Sequence, residues 1–332
     1  MAKDSVPTVT VIGSLNTDLV TRTSRVPEGG ETLTSQAFKT GSGGKGANQA
    51  VACARLSRRK AAPGDGTVKV RMIGAVGDDF FGKALVQDLK DSFIDVSGVT
   101  ARSDEHTGTA VIIVEESTGE NRILLSPGAN HGLTPETFVE LPAPLPDVIV
   151  LQLEIPLETV LQVLTVAKSQ HVEVVMNPAP AQKLPLEAYQ AITHLIVNES
   201  EASIITGNER KSIDWAEPGE GWRALYRLGS QHITVTLGSR GVRYALCHDK
   251  EAELDIKSLD AKKVQVKDTT AAGDTFVGAY AVGIATNKSK DPKTMMRILA
   301  RANEAAALTV AREGAQAAIP WADELPSLGA QA

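Results

Sequence analysis

Cysteine is almost missing from this chain: Cys53 and Cys247 are the only two among 332 residues. Two distant thiols build neither a disulfide framework nor a structural zinc site, and they point to a reducing compartment. Aromatic residues are scarce at 4%, so a core of Val, Ile, Leu and Ala is expected. Positive charge is in deficit, with 34 Lys and Arg against 40 Asp and Glu, a formal net charge of −6. That disfavours whole-surface attraction to nucleic acid or an anionic membrane, and any anionic ligand must be held by a local site. No apolar run approaches 18 residues without a charge or a turn, and MAKDSVPTVTVIG has no apolar signal core. Neither a membrane span nor a secretory leader is expected. H-E-x-x-H, paired C-x-x-C and G-x-S-x-G are absent and the six histidines are scattered, which leaves metalloprotease, zinc-finger and serine-hydrolase readings without support.

What is present suits a globular α/β protein: 42% hydrophobic, 22% charged and 28 glycines, with no 20–50-residue repeat. Short apolar runs at Thr8–Gly13, Val68–Ala75, Val148–Leu153, Val172–Met176, His194–Val197 and Ile233–Leu237 read as strands covered on both faces. Helical stretches at Gly46–Leu56, Phe80–Ser92, Pro156–Lys168 and Trp222–Leu228 alternate with them. The alternation predicts a mostly parallel central sheet with helices on both sides. Glu31–Gly41 and Thr107–Ser126 break the rhythm with strand-like alternation and no helix between. They predict a small sheet standing off the main domain, either a lid or an ordinary edge hairpin. Ser57–Lys69 and Gly207–Gly221 read as surface loops, and the chain is expected to fray after Pro320. One domain over 1–322 follows, with lid segments near 17–41 and 105–127 and a frayed tail at 323–332.

Gly41-Ser-Gly43-Gly44-Lys-Gly46 fits G-x-G-x-x-G but does not follow the first core strand, and no acidic strand end lies 20 residues on. The phosphate loop G-x-x-x-x-G-K-[ST] is also missing, because Gly46 follows Lys45. The strongest stretch is Asp268-Thr-Thr270-Ala271-Ala272-Gly273-Asp274 before an apolar helix. Small residues at a helix N-terminus offer free amides to an anion. An aspartate there repels phosphate, but it makes sense as a base for a hydroxyl that attacks a phosphoryl group; it would equally serve as a helix cap. Asn16 and Asp18 follow the first core strand, where a carboxylate and an amide can bridge sugar hydroxyls or close an Asx turn. Gly43, Gly44, Lys45 and Asn48 lead into a helix, and Glu154 ends a strand, facing either a ligand or solvent. Asn198 and Glu201 have the spacing of a magnesium-water site or of a capping box. Thr236-Leu-Gly238-Ser-Arg-Gly241 suits a nucleotide-binding turn or a plain hairpin.

Taken in order, GSLNTDLV, GSGGKGANQA, MNPAPA, VNESEA, TLGSRGV, DTTAAGDTFVGA and REGAQAAIP resemble the ribokinase family of carbohydrate kinases, from about Val6 to Trp321. The resemblance implies a three-layer α/β/α domain with a small β-sheet lid, and transfer of the ATP γ-phosphate to the 5-hydroxyl of D-ribose. It implies Asp274 as catalytic base and Ala271, Ala272 and Gly273 as an anion hole. Asn16, Asp18, Gly44, Lys45, Asn48 and Glu154 match sugar-site positions. Asn198, Thr236, Gly238 and Gly241 match nucleotide positions, Glu201 the magnesium (Mg2+) position, and Asn303 a position near adenine where relatives often carry histidine. Activation by potassium (K+) is implied at Asp268, Thr270, Thr309, Arg312, Gly314 and Ala318, mostly through backbone carbonyls; Ala318 replaces a frequent serine. A homodimer formed through the lid is implied, and a cytoplasmic location with the nucleus as an alternative. Competing readings are a kinase for 2-deoxyribose, fructose or a nucleoside such as adenosine, a glycosidase on the same scaffold, and a binding protein without turnover. A sugar panel separates the first, and Asp274 argues against the others.

Overall fold

The structure, a computed structural model, describes residues 6–118, 120–209, 212–246 and 255–326. Along the chain, β1 (Thr8–Ile12) is followed by β2 (Asn16–Thr23), β3 (Ala37–Gly43), α1 (Lys45–Leu56), β4 (Lys69–Gly77), α2 (Phe80–Asp91) and β5 (Asp95–Arg102). Then come β6 (Gly108–Glu115), β7 (Asn121–Ser126), β8 (Val148–Leu151), α3 (Leu157–Ser169), β9 (Glu173–Met176), α4 (Leu186–Tyr189), β10 (His194–Asn198) and α5 (Glu199–Ile205). The described chain closes with α6 (Glu220–Leu228), β11 (His232–Thr236), β12 (Val242–Leu246), β13 (Ile256–Leu259), α7 (Ala272–Thr286) and α8 (Pro292–Val310).

Nine strands form the main sheet in the order β13-β12-β11-β10-β9-β8-β1-β4-β5. The run from β11 to β5 is parallel, and β12 and β13 add an antiparallel edge. Alternate residues of each strand enter different cores. Val148 and Val150 pack with α1, α7 and α8, whereas Ile149 and Leu151 pack with α3, α5 and α6. Both faces are therefore covered, which is why the central strands read as unbroken apolar runs. Strands β5, β12 and β13 are not evident from the sequence, because they lie at or next to the sheet edges and mix polar with apolar residues.

Helix α7 is buried on nearly every side, and it lies close against α1. A methyl group on Gly278 would collide with Ala52. That contact brings Asp274, at the start of α7, toward Asn48 and Gln49, at the start of α1.

The second sheet, in the order β3-β2-β6-β7, is the small sheet expected from the two irregular stretches. Its first strand decides between the two readings of Asn16 and Asp18. Asn16 and Asp18 do not close an Asx turn; they open β2, pairing with Gly43 and Gly41 on one side and with Gly108 and Ala110 on the other. The expected strand at Glu31–Gly41 starts only at Ala37. Before it, Glu31 is tied to Arg25 and to the Glu28 amide, so the polar segment is used in a loop. Ser57–Lys69 is a loop, but Arg58 is buried: its guanidinium donates to the Phe93 and Val68 carbonyls at 3.1 and 3.3 Å. At the far end, residues 322–324 form a short 3-10 turn and Leu325 is buried, so ordered chain continues beyond position 322. Positions 327–332 of the expected frayed tail, and Cys247, lie outside the described residues; Cys53 is a buried free thiol. No helix among the described residues is long and apolar enough to cross a membrane.

Candidate active site

The ends of β1, β8 and β10 and the starts of α1, α5 and α7 converge at one edge of the main sheet, the C-terminal edge where open α/β sheets hold ligands. A cleft of about 220 Å³ lies there, lined by Lys45, Asn177, Asn198, Glu201, Thr236, Thr269, Gly273 and Asp274 among others.

Glu154 organises one wall. Its Oε2 accepts from the Ser14 hydroxyl at 2.6 Å, from the Lys45 amide at 3.0 Å and from Asn16 Nδ2 at 3.4 Å. It is therefore not the solvated strand end that the sequence left open. Asn16 is held from behind, its Oδ1 accepting from Asn130 Nδ2 at 2.8 Å. Asn130 also bonds both backbone groups of Leu15. Gly44 has φ of 85° and a side chain there would meet Asn16 and Ser14, so only glycine fits the turn into α1. At Gly43 a side chain would collide with the Asp18 carboxylate.

Asp274 is nearly buried and does not cap its helix. The N-cap is Ala271, in a left-handed conformation with φ of 59°, and it makes no side-chain cap. The carboxylate turns instead toward α1, with Oδ2 accepting from Asn48 Nδ2 and Oδ1 from Gln49 Nε2, both at 3.0 Å. The Asn48 Oδ1 is buried without a partner in the described structure, which leaves an acceptor beside the carboxylate. Of the three expected anion-hole residues, Ala272 gives its amide to Thr269 O at 3.3 Å. Among the described residues the amides of Gly273 and Asp274 have no backbone acceptor, and nothing stands over Gly273. The Ala271 amide likewise has no backbone acceptor, so two of the three expected residues keep uncommitted donors and Asp274 adds a third.

Carboxylates crowd this cleft. Burial, then Glu154 and Asp274, push the Asp18 carboxyl up to about 7, while Lys45 opposes the shift. Burial alone would lower the Lys45 ammonium, but Asp274, Glu154, Glu201 and Asp18 outweigh it and raise it. Burial also raises Glu201, against the Asn198 amide, Lys45 and Asn177. These acids make the cleft negative around Lys45, but among the described residues no three acidic, histidine or cysteine side chains cluster closely enough to ligate a metal ion, so a cation accompanying a polyphosphate here would be held through water and the phosphate oxygens.

On the other side, Asn198 and Glu201 form the capping box: Glu201 N donates to Asn198 Oδ1 at 2.8 Å and Asn198 N to Glu201 Oε2 at 2.9 Å. Glu201 nevertheless faces the cleft, so the two readings are not exclusive. Gly238 and Gly241 lie in the hairpin turn between β11 and β12, and Gly241, at φ of 84°, passes too close to Leu259 for a side chain. Asn303 stands on α8, its amide donating to Asp260 O at 2.8 Å, and it does not line the cleft.

Of the residues implied for potassium, Asp268, Thr270 and Gly314 come together. Asp268 accepts from the Thr270 amide and hydroxyl and, through Oδ2, from the Gly314 amide at 2.9 Å, stapling the segment before α7 to the one after α8. The Thr309 hydroxyl is buried against Thr275, Arg312 pairs with Glu324 at 3.0 Å, and Ala318 has no donor atom. These three can offer only carbonyls, a donor set that suits a weakly charged cation. Ser14, Gln49, Asn130 and Asn177 were not singled out by the sequence. Ser14, Gln49 and Asn177 lay inside recognisable motifs and Asn130 did not, but the neighbours of all four across the fold are invisible in one dimension.

Residues 6–322 match the profile of the pfkB family carbohydrate kinases. Ribokinase of Schizosaccharomyces pombe is 43% identical over 320 residues, 94% of each chain. The crystal structure of Thermotoga maritima ribokinase has a TM-score of 0.80 at 31% identity, covering 96% of this chain and 97% of that one. The structure of Arabidopsis thaliana ribokinase complexed with ribose and ATP also has a TM-score of 0.80, at 28% identity and the same coverage.

Proposed function

The chain belongs to the pfkB family of carbohydrate kinases, and from that premise we propose that it transfers the γ-phosphoryl group of ATP to the 5-hydroxyl of D-ribose, giving ribose 5-phosphate and ADP. The observation that carries the reading is the placement of Asp274: a nearly buried carboxylate beside the uncommitted amides of Gly273 and itself, facing Lys45 across the cleft.

A primary alcohol is a poor nucleophile. Asp274 takes its proton as the oxygen attacks phosphorus, and the bond to the ADP oxygen breaks in line. The amides at the start of α7 and the Lys45 ammonium receive the charge on the transferring group. Asn16, Asp18, Lys45, Asn48 and Glu154 hold the sugar, with Gly44 letting the backbone approach it. Asn198, Thr236, Gly238 and Gly241 border the nucleotide, with Asn303 at its outer end. The lid root at β2 carries Asn16 and Asp18, so sugar binding draws the lid over the cleft and excludes water, whose attack would hydrolyse ATP. Glu201, acting through water, would hold a magnesium ion accompanying ATP, and that ion would supply neutralisation of the phosphate charge. Carbonyls of the 268–270 and 309–318 segments would hold a potassium ion, which would supply positive charge to the anion site. The lid sheets of two copies pair into a homodimer, and the protein works in the cytoplasm.

The test is a sugar panel (D-ribose, 2-deoxyribose, fructose, adenosine) with ATP, with products identified by mass spectrometry and with matched KCl and NaCl arms. We expect ribose 5-phosphate as the main product, faster in KCl, and loss of kcat by about 10³-fold or more in Asp274→Asn. Preference for another acceptor would overturn the substrate, equal rates in the two salts would remove potassium, and near-normal turnover in Asp274→Asn would remove the base.

A further inference from the structure

Behind Asp274 lies a buried polar chain that no step above uses. Gln49 is fully buried on α1, and its Nε2 donates to Asp274 Oδ1 at 3.0 Å and reaches Asn177 Oδ1 at 3.4 Å. Its Oε1 accepts from Nε2 of Gln152 at 2.6 Å, and Gln152, just past β8, is also fully buried. Asn177 in turn donates to Ile196 O at 3.1 Å and to Glu201 Oε2 at 3.4 Å. One amide thus touches the carboxylate read as the base and, through one more amide, the carboxylate on the nucleotide side.

The sense of this chain is dictated by chemistry. An ionised carboxylate only accepts, so the Gln49 end facing Asp274 must be its NH₂. Its carbonyl then faces Gln152, which must present an NH₂ in turn. Both N–H bonds of Gln49 are matched, one to each side of the cleft. The arrangement is made room for: a methyl group on Gly13 would collide with Gln152 Oε1, and that oxygen has no partner in the described structure. Two buried amides, one of them half-satisfied, are a poor way to fill a core between a helix and a sheet, where a leucine pair would avoid the desolvation cost. Stability does not account for them.

We propose that Gln49, oriented by Gln152, is the positioning residue that fixes the rotamer of the Asp274 carboxylate and holds it in register with Glu201. The inference rests on the reading of Asp274 as the base. It acts through Asp274 and not on substrate, so its removal should lower kcat and leave sugar affinity alone. Misplacing a base by a fraction of an ångström costs about 10- to 100-fold in rate.

The test compares Gln152→Met, Gln49→Met/Gln152→Met, Asp274→Asn and the double variant combined with Asp274→Asn. Readouts are kcat, ribose affinity by calorimetry and thermal midpoint. The double variant is expected to fold with a midpoint near wild type, to bind ribose within about threefold, and to lose kcat by about 10- to 100-fold. Adding it to Asp274→Asn should cost nothing further, because the two changes remove one function. Gln152→Met alone, which touches no reacting atom, should lower kcat several-fold at unchanged ribose affinity. The proposal is overturned if kcat stays within twofold of wild type in both methionine variants, or if the losses multiply with Asp274→Asn. It is also overturned if the double variant unfolds while Gln152→Met retains full kcat. Normal turnover in Asp274→Asn alone instead brings down the base assignment.

Discussion

At the scale of the single residue, Asp18 is where burial and charge meet most sharply. Its carboxyl titrates near 7, against an ordinary value of 3.8, because it is buried with Glu154 and Asp274 beside it. The folded protein therefore binds the Asp18 proton more tightly than the unfolded chain does between about pH 4 and 7. The stability this contributes is fully present below about pH 4 and is lost as pH rises through about 7. A shift from 3.8 to about 7 sets a ceiling on the order of 4 kcal/mol. Asp18→Asn, which has no charge to bury, should melt several degrees above wild type at pH 8, with the gap closing toward pH 4. Thermal melts of the two proteins across that range decide it, and an Asn variant that melts at or below wild type at pH 8 would refute the crowding account. Gly43 belongs to the same residue's story, since the space it leaves is filled by the Asp18 carboxylate.

At the scale of the element, the two ends of α1 do different work. Its N-terminus supplies Lys45, Asn48 and Gln49 to the cleft, while the residue just past its C-terminus, Arg58, serves as a structural bolt. The Arg58 guanidinium holds the Phe93 and Val68 carbonyls and lies over the Phe93 ring at 5.8 Å, joining the end of α1 to the α2–β5 turn. Phe93 itself adopts a positive φ of 61°, an unfavourable conformation for a bulky residue that the clamp supports. Arg58→Ala leaves two inward carbonyls unpaired and a gap beside the ring, a cost of about 2–4 kcal/mol. Twelve helical residues separate the two ends, about 18 Å. Denaturant midpoints should fall accordingly, while ribose KM stays within about twofold; a large KM change would mean that α1 transmits the strain to the cleft.

At the scale of the whole molecule, the layered core was legible because its strands are buried on both faces and so carry unbroken Val and Ile runs, as in Val148–Leu151. The lid was legible less well. Asn16 and Asp18 open a lid strand, whereas the sequence left them between a sugar-bridging pair and a turn, with the lid starting near position 17, because the polar residues follow directly on β1. The long-range amide contacts of Gln49 and Asn130 had no local signal at all, since their partners lie up to 225 residues away. Strand register now separates the two faces of the lid. Asp18, Ala110 and Leu125 share the face of the proposed sugar site, whereas Leu19, Val111 and Leu124 share the opposite one, with Phe38 two positions along. On that outer face Leu124 is 69% exposed and Phe38 62%, an apolar surface of the kind that marks an interface. If two lids pair there, Phe38→Asp/Leu124→Asp should convert a dimer to a monomer in sedimentation equilibrium at micromolar protein. Fold is retained in that variant, because the substituted side chains leave both main-sheet cores untouched. The ribose KM should rise, since an unpaired lid closes less readily over Asn16 and Asp18. A wild-type protein that sediments as a monomer throughout that range would refute the pairing, and unchanged kinetics in a monomeric variant would show that lid closure is independent of it.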